Sequence, residues 1–229
     1  MALDILFCDN HLLAVVKPAG MPVVPDDSGD LSLFDMARSW IEVEFDKPGR
    51  AFLGVVHRLD RPVSGVVLLA RTSKAASRLT EQFREQQVTK TYIAICHGLP
   101  RQDDGKLVHW QSKDERRNRV TASASKRGNA KRAVTQFRAL LCEGRKTLVE
   151  LIPETGRPHQ LRAAMASIDM PVLGDVKYGA PKPLPDKTIA LHARELTVAH
   201  PITKKATTFS CPPPVCRWWA LARQGHGRK

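Results

Sequence analysis

No apolar run in the 229 residues approaches the roughly 20 that a membrane-spanning helix needs. The opening MALDILFCDN has no basic segment followed by an apolar core, so a secretory leader is not expected, and the reading is a cytoplasmic protein without membrane association. Cysteine is sparse and odd in number: Cys8, Cys96, Cys142, Cys211 and Cys216 are scattered, as free and mostly buried thiols are in a reducing compartment. Cys211 and Cys216 flank Pro-Pro-Pro-Val, too wide for the commonest zinc knuckle, and no second Cys or His pair completes a tetrahedral site, so no metal is expected. There is no internal repeat, no low-complexity tract and no Gly-rich phosphate loop. A Ser64, His159, Asp60 hydrolase triad fails because Pro62 stands where a G-x-S-x-G elbow needs glycine, and Ser64 lies only four residues from Asp60. Acidic residues are the scarcer sign, 23 Asp+Glu against 36 Lys+Arg, a formal charge of +13. That balance favours a polyanionic partner, without separating DNA, RNA and an anionic membrane surface.

The most unusual stretch present is HRLDRPVSG, His57 to Gly65, which runs directly into the apolar Val66–Ala70. His57, Arg58, Asp60 and Arg61 crowd into five residues between two β-rich runs, and Pro62 and Gly65 punctuate them, which predicts strand, tight loop, strand. A carboxylate held there beside Arg58, Arg61 or a cation from elsewhere is kept ionised. On these residues alone, a turn with a structural ion pair is an equal alternative.

Around that stretch, Ile5–Phe7 and Leu12–Val16 read as strands joined at Asp9-Asn10, PVVPDDSGD as a loop, and Leu31–Glu44 as a helix. SKAASRLTEQFREQQ, from Ser73, is an amphipathic helix with a Thr72 or Ser73 cap. Val88–Gly98 is a buried strand with Tyr92 early in it. Residues 101–132 carry ten Lys/Arg against four Asp/Glu with few large apolar residues, which predicts a solvated excursion able to track phosphates, or else an ordinary exposed hairpin pair. Ala133–Leu141 and Thr147–Ile152 form a hairpin about Cys142–Arg145. In ETGRPHQLR, Glu154 to Arg162, Pro158 suits a first helical turn, with Arg157 before it and Arg162 one turn in; the corner suits an anion or a site, though on these residues alone a capped helix with exposed arginines is the preferred reading. Late strands follow at Ile189–Val198 and Ala206–Phe209, then a short helix with Trp218, Trp219 and Leu221 and a basic tail. The length suits one sizeable core, and the expected division is a catalytic domain over residues 1–213 with a C-terminal helix and tail over 214–229.

Taken in order, KPAG (Lys17–Gly20), HRLDRPVSGVVLLAR (His57–Arg71), KTY (Lys90–Tyr92), ETGRPHQLR (Glu154–Arg162), GDVKYG (Gly174–Gly179) and LHA (Leu191–Ala193) with His200-Pro201 resemble the RluA-like branch of the pseudouridine synthases, over roughly Ile5 to Phe209. The resemblance implies an α+β fold: a mixed, largely antiparallel sheet bent around a central basic cleft, with helices outside. It implies an isomerase that turns specific uridines of ribosomal or transfer RNA into pseudouridine with no cofactor, acting as a monomer. Only a handful of residues precede the first strand, so the S4 RNA-binding domain of some relatives is not expected.

By the same resemblance Asp60 is the catalytic aspartate, attacking the anomeric carbon or removing a sugar proton, and Arg162 is the cation that pairs with it. Tyr92 matches the active-site tyrosine that stacks under the base, and Arg58 the residue that takes the place of the extruded nucleotide. Lys17, Arg61, Lys90 and Arg157 are expected phosphate contacts, while His57 and His159 either touch RNA or hold their loops by hydrogen bonds. Val63 replaces a usual threonine, Ala164 a frequent histidine, and Asp169-Met170 a Gly-His pair, departures that bear on packing and on which RNA is modified. A catalytically inactive RNA-binding protein of the same fold is the alternative.

Overall fold

A computed structural model describes residues 2–46, 48–114 and 119–224, apart from the side chains of residues 113 and 224. In chain order the elements are β1 (Asp4–Cys8), β2 (Leu12–Lys17), α1 (Leu33–Glu44), β3 (Gly54–Val55), β4 (Ser64–Ala70), α2 (Ser73–Arg84), β5 (Thr89–His97), β6 (Asp104–Asp114), β7 (Arg119–Ser123), β8 (Lys131–Glu143), β9 (Lys146–Pro153), α3 (Gln160–Ala166), β10 (Leu191–Ala199), β11 (Ala206–Ser210) and α4 (Ala220–Gln224). They divide into two compact units, Met1–Thr89 with Ala193–Pro212, and Lys90–His192 with Pro213–Lys229.

In the first unit β4 is the central strand. Its SGVVLLA is buried along its whole length, the pattern of a strand covered on both faces. It pairs antiparallel with β2, Leu12 opposite Ala70 through Lys17 opposite Gly65, and β2 pairs antiparallel with β1. The β1–β2 turn is fixed by Asp9, whose Oδ1 accepts from the N–H groups of His11 and Leu12 at 2.7 Å each. On its other side β4 neighbours β10, which forms an antiparallel hairpin with β11. Thr72 caps α2 by accepting the Ala75 N–H at 3.2 Å, and Ala75 and Leu79 bury their side chains with Leu12, Ala14, Val66, Leu68, Val198 and Phe209. Each Leu or Val buried this way contributes about 1.5–3 kcal/mol, which is why the apolar face of α2 decides its docking.

The second unit is an antiparallel sheet in the order β5, β9, β8, β6, β7. The basic stretch 101–132 takes the form of the exposed hairpin rather than of a separate arm, and most of its described residues are exposed. β6 is hydrogen-bonded to β8 from Asp104 opposite Arg138 to Gln111 opposite Lys131, and β7 extends the sheet by one strand. The buried positions of β6 include the polar His109 and Gln111. Residues 115–118, part of the expected arm, lie outside the described residues.

The C-terminal segment likewise does not stand apart from the fold. Trp219, Leu221 and Ala222 share a core with Ile93, Ile95, Leu148 and Leu173, so residues 213–224 are part of the second unit. The basic tail beyond 224 lies outside the described residues. No helix among the described residues is long and apolar enough to cross a membrane.

Candidate active site

The expected site residues fall on both units: Lys17, His57, Arg58, Asp60 and Arg61 on the first, Lys90, Tyr92, Arg157, His159 and Arg162 on the second. Each half has its own construction.

In the first, HRLDRPVSG is the loop between β3 and β4. Gly65 fixes where it enters the strand: its φ is +125°, a conformation L side chains rarely adopt, and a Cβ there would come within 2.2 Å of the Ala193 carbonyl oxygen. The Val63 N–H donates to the Asp60 carbonyl at 3.0 Å, closing a turn that starts at Asp60. His57 Nε2 accepts the Leu68 N–H at 2.9 Å, and the ring stacks on Phe83 at 4.8 Å between centroids. These two contacts tie His57 to β4 and α2.

Lys17 corrects its expected role. It is completely buried, and Nζ donates to the carbonyls of Pro18 (2.8 Å), Met21 (2.8 Å) and Arg61 (3.0 Å). An ammonium has three N–H donors, so these bonds use all of them on backbone and leave none to reach a phosphate. Lys17 ties the KPAG turn to the carbonyl next to Asp60. Burial pushes its pKa down to about 7; the nearby Asp60 carboxylate pulls it back up and Arg61 pushes it further down. Asp60 itself is half-buried.

Arg61 clasps the preceding loop. Its Nε donates to the Gly20 carbonyl (2.9 Å), and its Nη groups meet Ser28 Oγ (2.9 Å), Asp26 (3.4 Å) and Asp30. Its guanidinium is exposed, and such a pairing is worth about 1 kcal/mol or less. Arg58 is exposed.

In the second half, β5 carries Lys90 and Tyr92, with Tyr92 half-buried opposite Leu151 of β9. Burial lowers the pKa of Lys90, and its Nζ lies 3.9 Å from where a Cβ on Gly156 would stand. The ETGRPHQLR segment is anchored to β8 by two side chains. Thr155 Oγ1 accepts the Val134 N–H (3.0 Å), and Gln160 Nε2 donates to the Val134 carbonyl (2.9 Å) and Thr135 Oγ1 (3.0 Å). Gln160 Oε1 in turn accepts the Arg157 N–H at 3.0 Å, which folds residues 157–160 into a turn and delays the helix. α3 therefore starts at Gln160, with His159 before it at φ 50°, and Pro158 lies outside the first helical turn. Arg157 is exposed and donates from Nε to the Arg132 carbonyl at 3.2 Å.

Arg162 is buried, and Asp175 grips it through a two-pronged bond: Nε to Oδ2 at 2.7 Å and Nη2 to Oδ1 at 2.8 Å. The guanidinium lies 4.9 Å above the ring of Tyr178. The Tyr178 hydroxyl accepts the Val120 N–H (2.9 Å) and is hydrogen-bonded to His159 Nδ1 (2.8 Å), so His159 supports its own corner. Asp175, Tyr178 and Gln160 were not foreseen as site residues. The first two lie in GDVKYG, visible as a motif but silent about its partner, because the contact to Arg162 is made only on folding.

The chain is a basic α+β protein with largely antiparallel strands, with Asp60 in a loop entered through Gly65 and Arg162 held in a buried fork by Asp175. The family model for RNA pseudouridylate synthase matches residues 11–167, and the chain belongs to that family. It is 36% identical over 215 residues to the dual-specificity RNA pseudouridine synthase RluA of Haemophilus influenzae, covering 91% of this chain and 92% of that protein. It is 34% identical to tRNA pseudouridine synthase C of Haemophilus ducreyi, covering 92% of this chain and 90% of that one. It is 35% identical to ribosomal large subunit pseudouridine synthase D of Zymomonas mobilis, covering 93% of this chain and 69% of that one. Among solved structures, human RNA pseudouridylate synthase domain containing 4 superposes with a TM-score of 0.78 at 28% identity, covering 97% of this chain and 92% of that one.

Proposed function

We propose that the protein isomerises specific uridines of ribosomal or transfer RNA to pseudouridine in the cytoplasm, with Asp60 as the catalytic carboxylate. The observation that carries this reading is the family match from residue 11 to 167, which takes in the Asp60 loop, Tyr92 and Arg162 together. The reaction breaks the glycosidic bond of a uridine, turns the detached base and rejoins it through C5. Its main requirement is an ionised carboxylate beside the sugar.

In this reading Lys17 and the Gly65 entry hold the loop so that Asp60 meets the ribose in one orientation, the preorganisation that makes a positioned group effective. Arg162 keeps Asp60 ionised and aimed. Asp175 holds the guanidinium by its Nε and Nη2 groups. Tyr92 stacks on the target base and Arg58 fills the place it leaves, offsetting the few kcal/mol of unstacking. Arg61, Lys90 and Arg157 contact phosphates, Arg61 by exchanging the Asp26 and Asp30 carboxylates for phosphate oxygens.

The test is tritium release from RNA labelled at C5 of uridine. The wild-type protein releases label in a time-dependent way. A protein that binds the RNA and frees none is the inactive alternative, and that result would remove the enzymatic reading. Arg162→Met lowers the release rate at least about a hundredfold, by analogy with removal of a group that acts chiefly in the transition state.

A further inference from the structure

Tyr178 joins β7, the turn before α3 and the Arg162 guanidinium. Its side chain is buried. Three elements meet on it: its hydroxyl takes the Val120 N–H of β7, the same oxygen is bonded to His159 Nδ1, and its ring lies under Arg162. Arg119, also on β7, places its guanidinium carbon 5.8 Å from the ring centroid. Val120, Ala163 and Tyr178 form a small apolar cluster of their own, so hairpin and α3 meet through this side chain.

The backbone bond is the informative one. β7 is the last strand of this sheet, so an N–H on its outer side meets no further strand, and Val120 gives its proton to a side chain from the segment that also supplies Asp175. Any displacement of β7 therefore pulls on the phenol, and the phenol shares Arg162 with Asp175. Exposed cations lie on and just beyond β7: Arg119 on the strand, and Lys126 in the loop after it, 5.5 Å from the Trp110 ring centroid. A phosphate chain drawn to this surface acts on the strand that holds Tyr178.

We propose that Tyr178 is a positioning residue that couples seating of RNA on the β6–β7 hairpin to the setting of Arg162. This rests on the reading of the protein as an RNA pseudouridine synthase that uses Arg162. Tyr178 touches no reacting atom in this scheme; it holds the group that does. Its effect belongs in the rate of the chemical step at saturating RNA rather than in affinity, because the phosphate contacts themselves are untouched.

The experiment is single-turnover tritium release with enzyme in excess over cellular RNA labelled at C5 of uridine, alongside filter binding of the same RNA, for wild type and Tyr178→Phe. Phenylalanine keeps the ring under Arg162 and removes only the hydroxyl. The expected result is a rate constant about tenfold lower with Kd within about twofold of wild type, at a temperature where both proteins are fully folded by circular dichroism. His159→Asn tolerates the left-handed backbone and shortens the reach to the hydroxyl, and it lowers the same constant about threefold. A purely structural role would lower the melting temperature and leave the rate of the folded protein unchanged. An unchanged rate in Tyr178→Phe, or a loss confined to Kd, overturns the inference while leaving the enzymatic reading intact. Absence of release from the wild-type protein overturns both.

Discussion

Removing the Asp175 carboxylate is expected to be among the most damaging single changes outside the apolar core. The side chains of Arg162 and Asp175 are 7% and 1% exposed, and two charge-assisted bonds join them. In Asp175→Ala the guanidinium stays buried without that counter-charge, and breaking a buried pair from one side costs about 3–5 kcal/mol. The Tyr178 ring lies beneath the guanidinium in wild type and variant alike, so its cation–π attraction does not offset the loss. For a chain of this size each kcal/mol lowers Tm by about 2–4 °C, so the variant melts roughly 6–20 °C below wild type. Urea unfolding followed by circular dichroism on Asp175→Leu, Arg162→Met and the double variant completes the cycle. In the double variant neither member of the Arg162–Asp175 pair is left buried without the other, so it is more stable than either single variant and within about 2 kcal/mol of wild type. A loss below 1 kcal/mol in Asp175→Ala, or a double variant as unstable as the two losses added together, would refute the reasoning.

Three further outcomes follow from the first unit. Gly65→Ala sets a Cβ against the Ala193 backbone at a positive φ, and is expected to lose more than about 3 kcal/mol in the same unfolding assay. Lys17 has its folded pKa lowered from 10.5 to about 7, so the unfolded chain binds the extra proton between those values. Stability of wild type relative to Lys17→Met is then lowest below pH 7 and rises by up to about 5 kcal/mol as pH climbs toward 10, read from urea midpoints across that range. Asp30→Asn removes one partner of an exposed arginine, so it changes stability by less than about 1 kcal/mol while RNA binding tightens, measured by filter binding at low salt.

Much of the fold was legible in the chain, most plainly where a strand buries both faces, as β4 does. The run Val66–Ala70 could be little else, and Thr72 announced the start of α2. β6 escaped because its inward positions are His109 and Gln111, and polar residues on both faces erase the alternation that marks a half-buried strand. The start of α3 was misplaced because Pro158 suggests a first turn, whereas the Gln160 side chain claims the Arg157 N–H and holds that segment outside the helix.

The site was legible in kind more than in construction. Arg58, Asp60, Tyr92 and Arg162 stand in motifs, and motifs name residues without naming what holds them. Lys17 looks in sequence like any cation of a basic protein. Its burial under three carbonyls from two turns depends on contacts 44 residues apart, such as that with Arg61. Asp175 is 13 residues beyond Arg162, and no local spacing rule joins them.

The most direct test of the account is the rate of tritium release by Asp60→Asn measured beside its affinity for the same RNA. The amide keeps the volume of the carboxylate and removes its charge and nucleophilicity. The account predicts no release above background with Kd within a few-fold of wild type, since affinity comes from phosphate contacts elsewhere. Release by Asp60→Asn at a rate near that of wild type would contradict it.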